Sequence, residues 1–364
     1  METSHSAALR YHCATKYRPD SIHLLPPADF SRQPMPFKSY QSDRAIDLIP
    51  YLPVELFPQV EDERSDPLDL DSWLGRLSRT LYFTYGATAR QVWQGGHLIF
   101  RAAPSAGGLY PAEVYLVTRG LEDIPDGIHD YFVPNHQLIP VFDGDFLSEI
   151  SSVAFDAFDP ISTRAALVLT GIYERSTWRY HERAYRRLLL DTGHILGNLA
   201  LYAPFEGFRP VPISCFEDDE LNSLFFLDPD LEQVQVVVPL LESSAEPGIT
   251  PWLVENRHVE ERRVDESSGE PGETFADCHR AASLRSTALP MARRALASGG
   301  SVSVPSLGNT PLSRHAIDPM GPIELGREIL RRRSTRSFAR SEVSGDALSA
   351  ILEAGYRGFR EEAL

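Results

Sequence analysis

Apolar residues recur at helical spacing in "DLDSWLGRLSRTLYFTYGAT" (69–88), where Trp73, Leu74, Leu77, Leu81 and Tyr82 share one face. This predicts a helix, capped by Asp69 or Asp71 and ended near Gly86. The period then changes from helix to strand. "AEVYLVT" (112–118) reads as a strand, and "PDGIHDYFVPNHQLIPV" (125–141) as a hairpin-like pair broken at Gly127 and Pro134-Asn135. The unbroken apolar run "RAALVLTGIY" (164–173) has the length and character of a buried central strand. The strongest helix signal follows, from Tyr185 through Leu188, Leu189, Thr192, Ile195, Leu196 and Leu199 to Tyr202. Arg187, Asp191, His194 and Asn198 form a polar line along it, which reads as an internal network with His194 as a satisfied core histidine. "VQVVVPLLE" (234–242) closes the unit as a strand.

Outside this patterned region the chain changes character. Residues 1–68 are rich in Pro and charge and read as an extended arm with short helices. Residues 69–242 form the patterned domain; 243–320 are acidic, rich in Ser, Gly and Pro and aperiodic, which predicts a linker with one short helix near 274–298. Periodicity resumes over 321–364, with Leu325, Ile329 and Leu330 facing inward on one helix and Leu348, Ile351 and Leu352 on another. Two helices do not make a domain, so this segment reads as the start of a second unit without its remainder.

Composition narrows the function classes. The 364 residues carry a net charge of −16 with no dense Lys/Arg stripe, which argues against nucleic acid as a partner. No run approaches the ~20 apolar residues of a membrane span and no signal peptide opens the chain, so a cytoplasmic protein is expected. Lysine occurs only at Lys16 and Lys38, which argues against a catalytic lysine in the body of the fold and leaves arginine, permanently charged, as the working cation. Cys13, Cys215 and Cys278 are far apart, and no CxxC, HExxH or paired Cys/His spacing points to a disulfide framework or a metal.

Candidate chemistry begins at "RAAPSAGGLYPAEVYLV" (101–117). Gly107 and Gly108 permit positive φ and close approach of backbone to a planar or phosphorylated ligand; the alternative is a tight turn feeding an edge strand. Together with "RYHERAYRRLLLDTGHILGNLAL" (179–201), "VPISCFEDDELNSLFFLDP" (211–229), "RRRSTRSF" (331–338) and "ALRYHCATKYRP" (8–19), it resembles the SagB-type dehydrogenase branch of the FMN-dependent nitroreductase superfamily. The resemblance covers most of 70–242 and 324–356.

That resemblance implies an α+β fold, a nitroreductase-like mixed sheet flanked by helices with an incomplete second half, working as a homodimer or an intramolecular pseudo-dimer. It implies FMN in the crevice between halves. Pro104, Ser105, Ala106 and Gly107 would lie against the isoalloxazine, Ser214 and Cys215 would bring backbone amides to its N5 side, and Arg332, Arg333, Ser334 and Arg336 would hold the phosphate. Arg101 either meets the flavin's polar edge or caps the turn, and Glu113 reads as the partner of a structural arginine. The branch's proton-transferring Lys-Tyr pair is Arg179-Tyr180 here, so Tyr180 carries any proton and Arg179 orients or neutralises. "VEDERSDPLDLDSWL" (60–74) is acidic where the first domain's own phosphate motif would fall. The implied activity is hydride transfer through the flavin from an azoline-like small molecule or a peptide. The alternatives are an NAD(P)H-dependent nitro or quinone reductase, and a non-catalytic scaffold subunit of a peptide-modifying complex. No GxGxxG fingerprint is present, so nicotinamide would enter the flavin's own crevice.

Overall fold

The apolar run at 164–173 becomes β7 (Ala165–Ile172), covered on both faces, as a strand without polar alternation must be. The computed structural model describes residues 7–17, 28–63, 67–93, 96–242, 278, 283, 320–334 and 342–356. Among them, β7 pairs with β4 (Ala112–Thr118) on one side and β9 (Glu232–Glu242) on the other, with Val114 opposite Leu169 and Leu167 opposite Val238. With β1 (Ile46–Asp47), β5 (Gly127–Phe132), β6 (Gln137–Asp143) and β8 (Phe208–Pro210) they form a seven-stranded sheet in the order β1-β6-β5-β4-β7-β9-β8, and every pair in it is antiparallel.

Helices cover both faces, giving the α+β arrangement. Leu77 and Leu81 of α3 (Trp73–Tyr85) and Ile195 and Leu199 of α6 (Ala184–Tyr202) pack with Leu116, Leu167 and Val236 of the sheet. On the other face, α4 (Leu147–Val153) and α7 (Asp218–Leu224) set Ile150 and Leu221 against Val117 and Val168. The cap of α3 is Ser72, whose Oγ accepts from Gly75 N at 3.2 Å; Asp69 instead accepts from the Asp71 amide, so neither aspartate caps the helix. The central segment is split into α5 (Glu174–Tyr180) and α6 by His181 at φ 48°. Leu189 is 46 % exposed and His194 is exposed, its Nδ1 meeting Leu190 O, so the core-histidine reading is corrected.

Two elements had no counterpart in the pattern. β2 (Ala87–Trp93) and β3 (Gly96–Arg101) form a separate antiparallel hairpin leading into the glycine loop. The arm, which also holds α1 (Ala7–Thr15) and α2 (Gln59–Glu63), delivers residues 35–40 to the central strands.

The C-terminal α8 (Pro322–Arg331) docks on this body, with Ile329 buried among Leu52, Val60, Tyr82 and Phe83. Gly326 is needed there, since a Cβ would come within 2.8 Å of Leu56 and Phe83. Leu325, Ile329 and Leu330 face this cluster as expected. On α9 (Gly345–Tyr356), however, Leu348 and Ile351 are 51 % and 65 % exposed, so those two do not face inward. Nearly all of 243–320, and Arg336, lie outside the described residues.

Candidate active site

The glycine loop is built from left-handed backbone. Gly107 and Gly108 take φ 69° and 67°, and Tyr110 takes φ 48°, unusual for a bulky residue. Hydrogen bonds hold it, Gly108 N donating to Ser105 O at 3.0 Å within the turn. Ser105 Oγ donates to Asp191 Oδ2 at 2.5 Å, Ala106 N donates to Asp191 Oδ1 at 3.2 Å, and Tyr110 N donates to Ser105 Oγ at 2.8 Å. Burial pushes the Asp191 carboxyl up to about 6, while the bonds from Ser105 and Ala106 and the charges of His194 and Arg187 pull the other way.

The end of α5 stands over this loop. A Cβ at Gly107 would sit 2.7 Å from Tyr180 Oη and 3.5 Å from Arg179 Nε, whereas one at Gly108 would meet open space. Two guanidiniums lie near the Tyr180 ring, Arg179 at 5.7 Å and Arg187 at 5.3 Å from its centroid. Arg179 also covers Phe30 of the arm, which packs edge-on against Trp178. The structure thus brings the Arg179-Tyr180 pair to the loop.

It also brings part of the arginine-rich motif to the strand that feeds the loop. Arg332 Nη2 and Nε donate to the carbonyls of Arg101 and Ala102 at 3.1 and 3.3 Å, and burial lowers its pKa from the ordinary value. Arg333 donates to Thr88 O at 3.1 Å and lies over Phe100, while Ser334 is exposed. Arg101 itself is 2 % exposed, stacked on Tyr85 and Tyr110 and donating to Pro36 O, which favours the turn-supporting alternative. Pro104 borders the loop, half-buried. Ser214 is exposed and Cys215 half-buried on the segment after Ile213, which bridges to Val237; no hydrogen bond among the described residues ties them to the loop.

Beside the loop lies a buried charged cluster that the sequence reading touched only at Glu113. Arg175 donates to Glu113 Oε1 at 2.5 Å, to Tyr110 O at 3.2 Å and to Met35 O at 3.0 Å, and Glu113 also accepts from Lys38 N at 2.9 Å. Lys38 Nζ pairs with Glu232 and donates to Tyr115 Oη at 2.9 Å. Burial alone would lower the Lys38 pKa, but Glu232 holds it above the ordinary value. The arm thus folds one of the two lysines, Lys38, against the body of the fold, where it meets Glu113, Tyr115 and Glu232. The only signal was the scarcity of lysine, which Lys38 shares with Lys16, so composition alone did not single it out.

Comparison with known proteins bears on the family and the fold. A model of the nitroreductase family matches residues 87–240. The "Putative nitroreductase" of Methanocaldococcus jannaschii is 29 % identical over 169 residues, covering 45 % of this chain and 78 % of that protein. The "Trifolitoxin-processing protein TfxB" of Rhizobium leguminosarum bv. trifolii is 30 % identical over 169 residues, covering 42 % of this chain and 43 % of that protein, so the chain spans less than half of that relative. A crystal structure of a "putative nitroreductase" from Anabaena variabilis matches 99 % of this chain and 70 % of its own at 32 % identity, with a TM-score of 0.74. On the shared fold, the matched span from β2 to β9 and this identity, the chain belongs to the nitroreductase family.

Proposed function

We propose that this nitroreductase-family oxidoreductase is FMN-dependent and of the SagB type, with Pro104, Ser105, Ala106 and Gly107 against the isoalloxazine. One observation carries the reading: Tyr180 and Arg179 stand on a loop whose glycines are left-handed, and Arg332 grips the strand leading into that loop. The residues fit the group. The bare backbone at Gly108 faces open space where a flat ring could approach, while Tyr180 Oη faces Gly107, and Arg332, Arg333, Ser334 and Arg336 supply cations and a hydroxyl for the phosphate. Arg101 supports the turn through its stacking on Tyr110, and Ser214 and Cys215 stay assigned to the N5 side by resemblance alone. When bound, FMN would supply the hydride chemistry.

The chain's own residues do the rest. Tyr180 Oη, beside Gly107, is the group in this proposal that holds or moves a proton at the reacting face, with Arg179 and Arg187 against its ring. Phe30, itself 65 % exposed, packs edge-on against Trp178 on that side. Likeness to a protein named for trifolitoxin processing, with the SagB-type resemblance of the sequence, supports a peptide or azoline-like substrate. Arginine in place of the branch's lysine favours, as second reading, an NAD(P)H-dependent reductase. The functional form in this proposal is a homodimer, with the second copy on the outer face of α6, where Leu189, Leu190 and Leu201 are 46 %, 55 % and 37 % exposed beside the open Gly193 and Gly197.

Anaerobic mixing of FMN-loaded protein with a thiazoline-bearing peptide or with NADPH tests the substrate. Bleaching of the flavin by the peptide supports dehydrogenation. Bleaching by NADPH alone supports the reductase, and bleaching by neither favours the scaffold.

A further inference from the structure

The central helix carries a buried carboxylate that the proton chemistry above does not use. Asp191 is 5 % exposed, and among the described residues no cation lies within salt-bridge distance of it. Burying such a group is costly unless its oxygens are satisfied, and both are, by the glycine loop alone: Ser105 Oγ on Oδ2 and Ala106 N on Oδ1. Ser105 in turn accepts from the amide of Tyr110. One carboxylate therefore fixes both ends of a turn that contains three left-handed residues, Gly107, Gly108 and Tyr110. A free turn would not stay there, because the left-handed region costs a tyrosine free energy and leaves glycine many alternatives.

We propose that Asp191 is the positioning residue of the glycine loop: by accepting from Ser105 Oγ and Ala106 N it holds residues 105–110 in their left-handed turn, and thereby sets how tightly FMN is bound. The second half rests on the FMN reading; the first stands on the hydrogen bonds alone. A charged carboxylate accepts both bonds strongly, whereas the protonated acid gives one oxygen a proton of its own and grips the loop less well. The groups facing Asp191 are Arg187 and His194 on its own helix, Ser105 and Tyr110 from the loop, and Tyr85 from α3, with Arg101 stacked between those two rings. Of these, Arg187 and His194 favour the charged form.

The test uses the full chain and reads the loop separately from the flavin. Hydrogen–deuterium exchange of the ligand-free protein is compared for wild type, Asp191→Asn and Ser105→Ala, followed by FMN titration of each by flavin fluorescence at pH about 7.5 and about 5.5, either side of the carboxyl's titration. The expected result is faster exchange confined to peptides spanning 102–110, and FMN affinity lower by roughly tenfold or more at the higher pH in both variants. Wild-type affinity should fall on acidification, while Asp191→Asn in a His194→Gln background should be nearly flat. Unchanged exchange and affinity within twofold in the variants would overturn the proposal. Should Asp191→Asn fail to fold, Ser105→Ala, which removes the hydroxyl and leaves the helix intact, decides alone. A wild type that retains no FMN overturns the flavin half and the functional reading together, while exchange still decides whether Asp191 holds the loop.

Discussion

At the scale of single residues, the two adjacent glycines make unequal demands. Gly107 needs its left-handed φ and also the space a Cβ would take from Tyr180, whereas Gly108 needs only the φ. Gly108→Ala should therefore cost about 1 kcal/mol of stability, and Gly107→Ala more, with a clear loss of FMN affinity; thermal unfolding and flavin titration measure the pair side by side. Tyr180→Phe is predicted to keep the flavin bound and to lower turnover roughly 10²-fold, since it removes a proton carrier and no packing volume. An unchanged rate would take Tyr180 out of the chemistry. Arg179-Tyr180 was singled out by the family resemblance alone, whereas the glycine pair was legible because adjacent glycines ahead of a strand are chemically singular. Arg101 was not: its partners, Pro36 O and the Tyr85 ring, come from distant segments, and nothing local announces them.

At the scale of elements, legibility followed periodicity. β4 and β7 lie where the apolar pattern puts them, because a strand covered on both faces cannot hide its composition. The β2–β3 hairpin was missed, since Arg90, Gln91 and the residues around "QGG" break any alternation. The break at His181 escaped notice because no Gly or Pro marks it. Two predictions belong here. Arg175→Met removes the cation from Glu113, both side chains 4 % exposed or less, and should cost about 3–5 kcal/mol in chemical denaturation by stranding a buried carboxylate. Ile329→Ala on α8 should cost about 2–4 kcal/mol and weaken the grip of Arg332 on 101–102, seen as faster exchange in β3.

Over the whole molecule, arm, sheet and loop meet at the charged cluster, and its titration is a global property. Asp130, 1 % exposed with Oδ1 unpartnered among the described residues, is pushed by burial up to about 8; Glu113 and Glu232 add to this, and Lys38 and Arg101 oppose it. The native state thus keeps a proton that the unfolded chain loses near pH 4. This contribution to stability is complete in acid and is lost as pH rises from about 4 through about 8. Asp130→Asn should flatten that slope and raise stability by about 1–3 kcal/mol at the alkaline end, as read by urea denaturation across pH.

The sequence motifs stand far apart along the chain, and folding gathers the Arg179-Tyr180 pair, Arg332 and Asp191 around a single turn. No helix among the described residues is long and apolar enough to cross a membrane. The central claim is that this turn holds FMN. The most direct measurement is the visible absorbance of the purified chain after incubation with FMN and gel filtration, beside Gly107→Val. The account predicts a yellow protein with near-stoichiometric flavin and a colourless variant of unchanged fold. A wild type that emerges colourless, or a variant that stays as yellow, would contradict it.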